Sequence, residues 1–383
     1  MTVRIAMVAG EASGDLLASH LIRALRRHLP EAEFFGIGGP KMVAEGFDAR
    51  WPCERLAVHG YVDALKRYRE LSAIRRTLLA QIRAERPAAF IGVDAPDFNL
   101  WLEGRTKDAG IPAIHFVSPS IWAWRGGRIK RIARAVSHML CLFPFEPVLY
   151  ERAGVPVSYV GHPLADVFPL QPDRAAARAA LGVDGAGPVV ALLPGSRQSE
   201  VRNLADTYLD TARRLLARNP AVRFLVPLAT PETRQLFDDA VRRTHAADLP
   251  IRILPGQAVE AMTAADVVLV ASGTASLEAA LLKRPMVITY RIGKWQYRLM
   301  KRLAYLPWVG LPNILCNEGI VPELLQDDAE PEKLAAALEA WLADDRRRAA
   351  LEARFAELHL SLRQDTAAKA AAAILPYLKG AGA

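Results

Sequence analysis

The chain has 383 residues, 51% of them hydrophobic and 23% charged, with a formal net charge of +8. That composition excludes a disordered chain, and the length exceeds what one core usually serves, so two domains are expected. The positive surplus suits an anionic partner (a nucleotide, a phosphorylated substrate, nucleic acid or an anionic membrane) without choosing among them.

Cys53, Cys141 and Cys316 are odd in number, far apart and fit no metal spacing, which predicts a reducing compartment. The first apolar run is too short for a signal-peptide core, and no run reaches the length of a spanning helix. A cytoplasmic protein is expected, with any membrane contact peripheral.

In chain order, Val3–Val8 reads as a strand, followed by the glycine turn Ala9–Asp15 and a helix with Leu17, Leu21 and Leu25 on one face. Phe34–Ile37 is a second strand. Val62–Glu85 reads as a long helix, stopped before Pro87. Its apolar stripe is Leu65, Tyr68, Leu71, Ile74, Leu78 and Ile82, and Lys66, Arg67, Arg69, Arg75, Arg76 and Arg83 surround it. Such a helix either packs its stripe on a sheet or lies on a membrane surface. Ala88–Val93, Ala113–Val117, Met139–Phe143 and Val157–Val160 are further strands.

Near Gly161-His162-Pro163 the alternation breaks, and Pro163 through Pro188 reads as an interdomain crossing. The pattern restarts with Val189–Leu193, Phe224–Pro227, Ile251–Leu254, Val267–Ala271 and Met286–Tyr290. The Ala-rich end reads as helical. The expected class is α/β: two Rossmann-like, doubly wound domains, residues 1–165 and 166–345, with a helical tail over 346–383. Ligands of such domains sit at the carboxyl ends of the strands, here in a central cleft between the halves.

Six places in the chain can carry chemistry. Pro194-Gly195-Ser196-Arg197 ends a strand and opens a helix near Glu200, so its N–H groups and the Arg197 guanidinium suit a phosphate; an ordinary turn with a solvated Arg is the alternative. Ser272-Gly273-Thr274 is a second such turn, with Glu278 one helical turn on, placed to accept ribose hydroxyls; a helix-capping turn with a solvated Glu is the alternative. Asp94 and Asp97 follow a third strand. Asp94 suits a general base, while Asp97 suits either a ligand or a helix start. Glu11, in the first glycine turn, can meet the same region. His162 is either an acid/base group or a structural imidazole. Trp122-Ala123-Trp124-Arg125 with Arg128, Lys130, Arg131 and Arg134 resembles a nucleic-acid patch, but no RNP, KH, zinc-finger or helix-turn-helix signature accompanies it, and no nucleic-acid partner is expected.

Together, VAGEASGD (Val8–Asp15), FIGVDAPDFN (Phe90–Asn99), HFVSPSIWAWR (His115–Arg125), GHPLAD (Gly161–Asp166), LLPGSR (Leu192–Arg197), ASGTASLE (Ala271–Glu278) and LPNIL (Leu311–Leu315) keep their order over almost the whole chain. They resemble the lipid-A-disaccharide synthase family, glycosyltransferases of lipopolysaccharide assembly in Gram-negative bacteria. Gly293–Trp308 matches least well.

The resemblance implies a GT-B fold, in which the final helices can cross back onto the first domain, and an inverting transfer from UDP-2,3-diacylglucosamine to 2,3-diacylglucosamine 1-phosphate (lipid X). UDP and the lipid A disaccharide 1-phosphate are the implied products. Asp94 is then the general base. Glu11, Asp97, Arg197, Ser272, Gly273, Thr274, Glu278 and Asn313 are substrate-binding. No cofactor is implied. No D-x-D motif for a metal occurs, so positive groups of the protein are expected to stabilise UDP. Lipid substrates imply a peripheral position on the anionic inner-membrane surface, and a homodimer is a candidate assembly. Two alternatives stay open: a UDP-sugar epimerase on the same fold, and a basic RNA-binding module without catalysis.

Overall fold

The computed structural model describes residues 2–56, 61–123, 126–183, 185, 187–303 and 305–379. They divide into two compact units, Met1–Asp166 with Leu362–Ala383, and Val167–Ser361.

The first unit holds the strands β1 (Arg4–Ala9), β2 (Glu33–Gly38), β3 (Phe47–Pro52), β4 (Ala89–Val93), β5 (Ala113–Phe116), β6 (His138–Cys141) and β7 (Val157–Tyr159). Their order is β3-β2-β1-β4-β5-β6-β7, with every neighbouring pair parallel. Continuous apolar runs such as AFIGV in β4 are buried along their whole length because helices cover both faces. On one face Leu17, Leu21, Ile22 and Leu25 of helix Ala12–His28 pack together with Ala370, Ile374 and Leu378 of the last helix. The other face is closed by Ile74, Leu78 and Ile82 of helix Tyr61–Glu85.

The apolar stripe of that long helix is therefore divided. Its C-terminal half is core, while Tyr68 is 61% exposed. The side chains of residues 61–67, Leu65 among them, lie outside the described residues. Arg75, flanking the stripe, stacks on the Trp101 ring with its guanidinium carbon 4.4 Å from the centroid.

The second unit holds β8 (Val189–Leu193), β9 (Arg223–Leu228), β10 (Ile251–Pro255), β11 (Val267–Ala271), β12 (Met286–Tyr290) and β13 (Glu323–Leu325), in the order β10-β9-β8-β11-β12-β13, again parallel throughout. Both sheets reverse direction of winding beside their first strand, between β1 and β4 and between β8 and β11. Ligands of open α/β sheets bind at such switch points.

Two details differ from the sequence reading. β3 and β13 are additional edge strands: β3 is interrupted by Asp48 and Arg50 and β13 is three residues long, so neither carries the apolar run of a central strand. The expected irregular crossing contains the helices Pro163–Val167 and Arg174–Ala180. The helical tail is shared, Leu362–Ala383 going to the first unit and Asp345–Ser361 staying with the second. Asp166 fastens the returning segment, its carboxylate accepting the N–H groups of Gln364, Asp365 and Thr366 at 3.1, 3.0 and 2.7 Å. These are otherwise unpaired donors at a helix start.

Candidate active site

In the first unit, β1 and β4 pair as far as Ala9 and Val93, so Glu11 and Asp94 both lie just beyond the carboxyl end of the sheet. The two turns touch there. A Cβ added at Gly10 would come within 2.7 Å of the Ala95 Cβ, so glycine permits the approach. Glu11 precedes helix Ala12–His28, and its exposed side chain makes no cap.

Asp94 and Ala95 both adopt left-handed backbone, with φ of 52° and 44°. That is a costly conformation for residues with a Cβ. The surroundings hold it. The Asp94 N–H donates to the Phe116 carbonyl at 2.8 Å, and the Asn99 amide donates to the Asp94 carbonyl at 2.8 Å. Asp97 points elsewhere: it is exposed and ion-paired to Arg128. That pair ties the helix Pro96–Asp108 to the basic segment that follows the Trp122 region. Trp124 and Arg125 of that segment lie outside the described residues. Trp122 donates its indole N–H to the buried Glu146 carboxylate at 3.1 Å and packs edge-on against Phe143 and Phe145.

His162 has the features of a structural imidazole. It is buried, stacks on Phe143 with centroids 5.6 Å apart, and its Nδ1 accepts the Leu164 N–H at 3.3 Å. Burial pushes its pKa down to about 4, so the ring is neutral at physiological pH.

In the second unit, one cavity of about 370 Å³ is lined by Gly195, Ser196, Arg197 and Glu200 on one side and by Ser272, Gly273, Thr274, Ala275 and Glu278 on the other. Its size falls within the usual range of small-ligand sites. The two turns follow β8 and β11, the strands flanking the switch point.

Their chemistry is not the same. In the first turn the Glu200 carboxylate folds back and accepts the N–H groups of Ser196 and Arg197 at 3.0 and 3.2 Å. It thereby occupies the place expected for a phosphate. Gly195, at φ 124°, makes room for it, since a Cβ there would come within 2.3 Å of the Glu200 Cβ. Arg197 itself is largely exposed, and its guanidinium is ion-paired to Glu200 at 3.5 Å beside the cavity. The sequence reading placed Glu200 only as a helix start. Its spacing three residues after the N-cap position is the signal of a carboxylate folding back onto the turn.

The second turn keeps its N-terminus open. No side chain caps helix Thr274–Leu281, and its first turn carries no acid. Gly273 sits at φ 143° with nothing within 4 Å of where a Cβ would be. Glu278 is half-buried beneath it, and desolvation raises its pKa above the usual carboxylate value.

Asn313 is turned into the fold. It is 1% exposed and does not line the cavity. Its amide donates to the Val321 carbonyl at 3.0 Å and to Glu323 at 2.8 Å, and its oxygen accepts the Val321 N–H at 3.0 Å. With those groups used inside the fold, Asn313 ties helix Leu311–Cys316 to Val321 and, through Glu323, to the turn before the helix. Glu323, absent from the sequence reading, completes that turn by accepting the N–H groups of Val309 and Gly310 at 2.9 and 3.0 Å.

Residues 5–375 match the profile of the lipid-A-disaccharide synthetase family. The lipid-A-disaccharide synthase of Azoarcus sp. (strain BH72) is 77% identical over 99% of this chain and 97% of its own length. That of Dechloromonas aromatica (strain RCB) is 59% identical over 98% of this chain and 99% of its own. The chain belongs to the lipid-A-disaccharide synthetase family. It is a glycosyltransferase of lipid A biosynthesis.

Among solved structures, the S. aureus MnaA–UDP co-structure superposes with a TM-score of 0.65 at 11% identity, over 99% of this chain and 97% of that one. A glycosyltransferase from Rickettsia africae ESF-5 gives 0.59 at 10% identity, over 99% and 98%. The UDP-GlcNAc 2-epimerase of Neisseria meningitidis bound to UDP-GlcNAc gives 0.59 at 12%, over 99% and 100%. At these identities the likeness is one of fold. Epimerases and transferases share it, so architecture alone does not separate the two reactions, whereas membership of the lipid-A-disaccharide synthetase family does.

Proposed function

We propose that the chain transfers the sugar of UDP-2,3-diacylglucosamine to lipid X with inversion, releasing UDP and the lipid A disaccharide 1-phosphate. The observation that carries the reading is the convergence of Arg197, Ser272, Gly273, Thr274 and Glu278 on one cavity. A nucleoside diphosphate needs groups of these kinds: backbone N–H groups at an uncapped helix N-terminus, a guanidinium for the diphosphate, and a carboxylate for the ribose hydroxyls.

The transfer is a single displacement. The acceptor hydroxyl oxygen attacks the anomeric carbon of the donor from the face opposite UDP. The bond from that carbon to the diphosphate oxygen breaks, and its electron pair leaves with UDP. The hydroxyl proton passes to the Asp94 carboxylate, an effect typically worth ~10²–10⁴ in rate. Arg197 and the helix start at Thr274 take up the negative charge that grows on the leaving diphosphate. Glu11 belongs to the acceptor side with Asp94. Asp97, held by Arg128, serves that side through the position of its helix.

The proposed location is the cytoplasmic surface of the inner membrane, without a span. No helix among the described residues is long and apolar enough to cross a membrane. The exposed Tyr68 end of helix Tyr61–Glu85 and its flanking arginines are the proposed contact in the first unit.

The deciding experiment measures UDP release from UDP-2,3-diacylglucosamine with and without lipid X, and separately from UDP-GlcNAc lacking acyl chains. Release only with both lipids supports the reading. Turnover of UDP-GlcNAc without an acceptor would move the chain to the epimerase reaction.

A further inference from the structure

The helix Lys294–Leu303, KWQYRLMKRL, leads away from the end of β12 and contributes to none of the groups described above. Its sequence sorts into two sides. Trp295, Leu299, Met300 and Leu303 recur at three- and four-residue steps, and Lys294, Arg298, Lys301 and Arg302 share the opposite side. An amphipathic helix ordinarily turns its apolar side to the core. Here Trp295 is 73% exposed and Met300 40%, and Tyr305 just beyond the helix is 63% exposed. Arg298 and Arg302 are exposed as well and form no ion pair among the described residues. No acid occurs anywhere from Arg291 to Asn317.

The segment is tied at both ends. Before it, the Arg291 guanidinium donates to the Thr207 hydroxyl at 3.1 Å and to the Ala329 carbonyl at 3.0 Å. The Gln326 amide pairs with the Ile292 carbonyl and N–H at 2.9 and 3.0 Å. After it, Glu323 holds the N–H groups of Val309 and Gly310, and the Ser272 hydroxyl donates to the Val309 carbonyl at 3.3 Å. Ser272 lines the cavity, so the second tie is also part of the cavity wall.

We propose that this helix is a docking surface for an anionic lipid bilayer. In this arrangement Trp295 and Met300 enter the headgroup boundary and Arg298 and Arg302 lie among lipid phosphates. A short helix with a cationic side and a Trp-bearing apolar side has the composition of interfacial helices. Charge argues for this occupant over the others. A two-fold contact with a second copy would bring two acid-free cationic segments together. A nucleic acid would satisfy the basic side but leave Trp295 and Met300 uncovered. Because the segment after the helix is tied to the cavity wall where Ser272 meets Val309, the bilayer would hold the proposed donor site near the depth of the headgroups. The proposal shares with the proposed function the premise of lipid-borne substrates, but its test uses neither substrate.

The test is co-sedimentation of the full chain with phosphatidylcholine vesicles, with and without phosphatidylglycerol. Wild type is compared with Trp295→Ser/Met300→Ser, with Arg298→Gln/Arg302→Gln, and with Tyr68→Ser as a separate arm for the first unit. Circular dichroism and UDP calorimetry establish that each variant is folded. Expected are salt-sensitive binding of wild type to the phosphatidylglycerol vesicles and a roughly tenfold or greater loss of partitioning in each of the two helix variants. Wild-type partitioning in both would overturn the proposal. So would a change confined to oligomeric mass by analytical ultracentrifugation, which would make the face a contact between copies. Loss of binding in Tyr68→Ser alone would assign the membrane contact to the first unit and reject it here. If the vesicle result holds while UDP release fails with both lipids supplied in detergent, the docking surface stands and the proposed reaction falls; the reverse result separates them the other way.

Discussion

His115 Nδ1 lies 2.6 Å from Glu103 Oε1, and both side chains are completely buried. The pair sits behind Asp94. His115 is the register partner of Gly92 in β4, two residues before Asp94, and a Cβ on Gly92 would come within 2.1 Å of Glu103 Oε1. The glycine is therefore the space the carboxylate occupies. Burial pushes the Glu103 pKa up, while the Glu103 carboxylate holds the His115 pKa up against the opposing effect of its own burial. Removing one partner leaves the other enclosed and uncompensated. Glu103→Ala is expected to destabilise the fold by about 3–5 kcal/mol in urea denaturation, the usual range for breaking a buried pair. Gly92→Ala should destabilise it through the same carboxylate. A loss below about 1 kcal/mol in both would mean that the pair is replaceable by its surroundings.

Asp94→Asn keeps the shape of the side chain and removes the base. Single-turnover kinetics should show a loss of about 10²–10⁴, with UDP affinity unchanged by calorimetry, since Asp94 is in the first unit and the proposed UDP groups are in the second. Turnover within about tenfold of wild type would remove Asp94 from the mechanism.

Arg197→Ala should weaken UDP binding by about 1.5–3 kcal/mol, the usual worth of a charged hydrogen bond. Glu278→Ala should weaken UDP binding too, but should have little effect on a diphosphate ligand without ribose hydroxyls. Unchanged affinity in both variants would put the nucleotide elsewhere.

The His162 pKa gives a pH dependence with a definite sign. Its folded value of about 4 lies below the ordinary 6.5, so on acidification the unfolded chain takes up the proton first. Stability from this group is complete above pH 6.5 and declines as pH falls toward 4, by up to about 3 kcal/mol. His162→Asn offers an oxygen to the Leu164 N–H without a titrating ring. Its unfolding free energy should fall less steeply between pH 6.5 and 4. Parallel curves for the two proteins would show that the ring is not held neutral.

Divalent metal is expected to be dispensable, because the sequence lacks a D-x-D motif and offers a guanidinium and a helix start instead. Activity that EDTA abolishes and magnesium restores would reject that.

What the sequence by itself determined is local. Apolar runs such as Val189–Leu193 and Val267–Ala271 are strands because a central parallel strand must be apolar on both faces, and each ends in the turn that its glycine permits. From those runs the two doubly wound units, the turns after β4, β8 and β11, and the convergence of Arg197 with Thr274 and Glu278 were all legible. Edge strands were not, since β3 has one face in solvent and β13 is too short to carry a pattern. What only the tertiary structure decided is how each polar group is spent. Glu200 and Thr274 both open helices after strands, yet one fills its own turn with a carboxylate and the other leaves its turn open. Asn313 lies in a motif as distinctive as that of Asp94, but its hydrogen bonds are consumed by Val321 and Glu323. Asp166 and Thr366, 200 residues apart, meet only because the last helix returns to the first sheet. A polar side chain has few hydrogen bonds to make, and which partner takes them depends on segments brought together by packing, so local sequence spacing leaves that choice open.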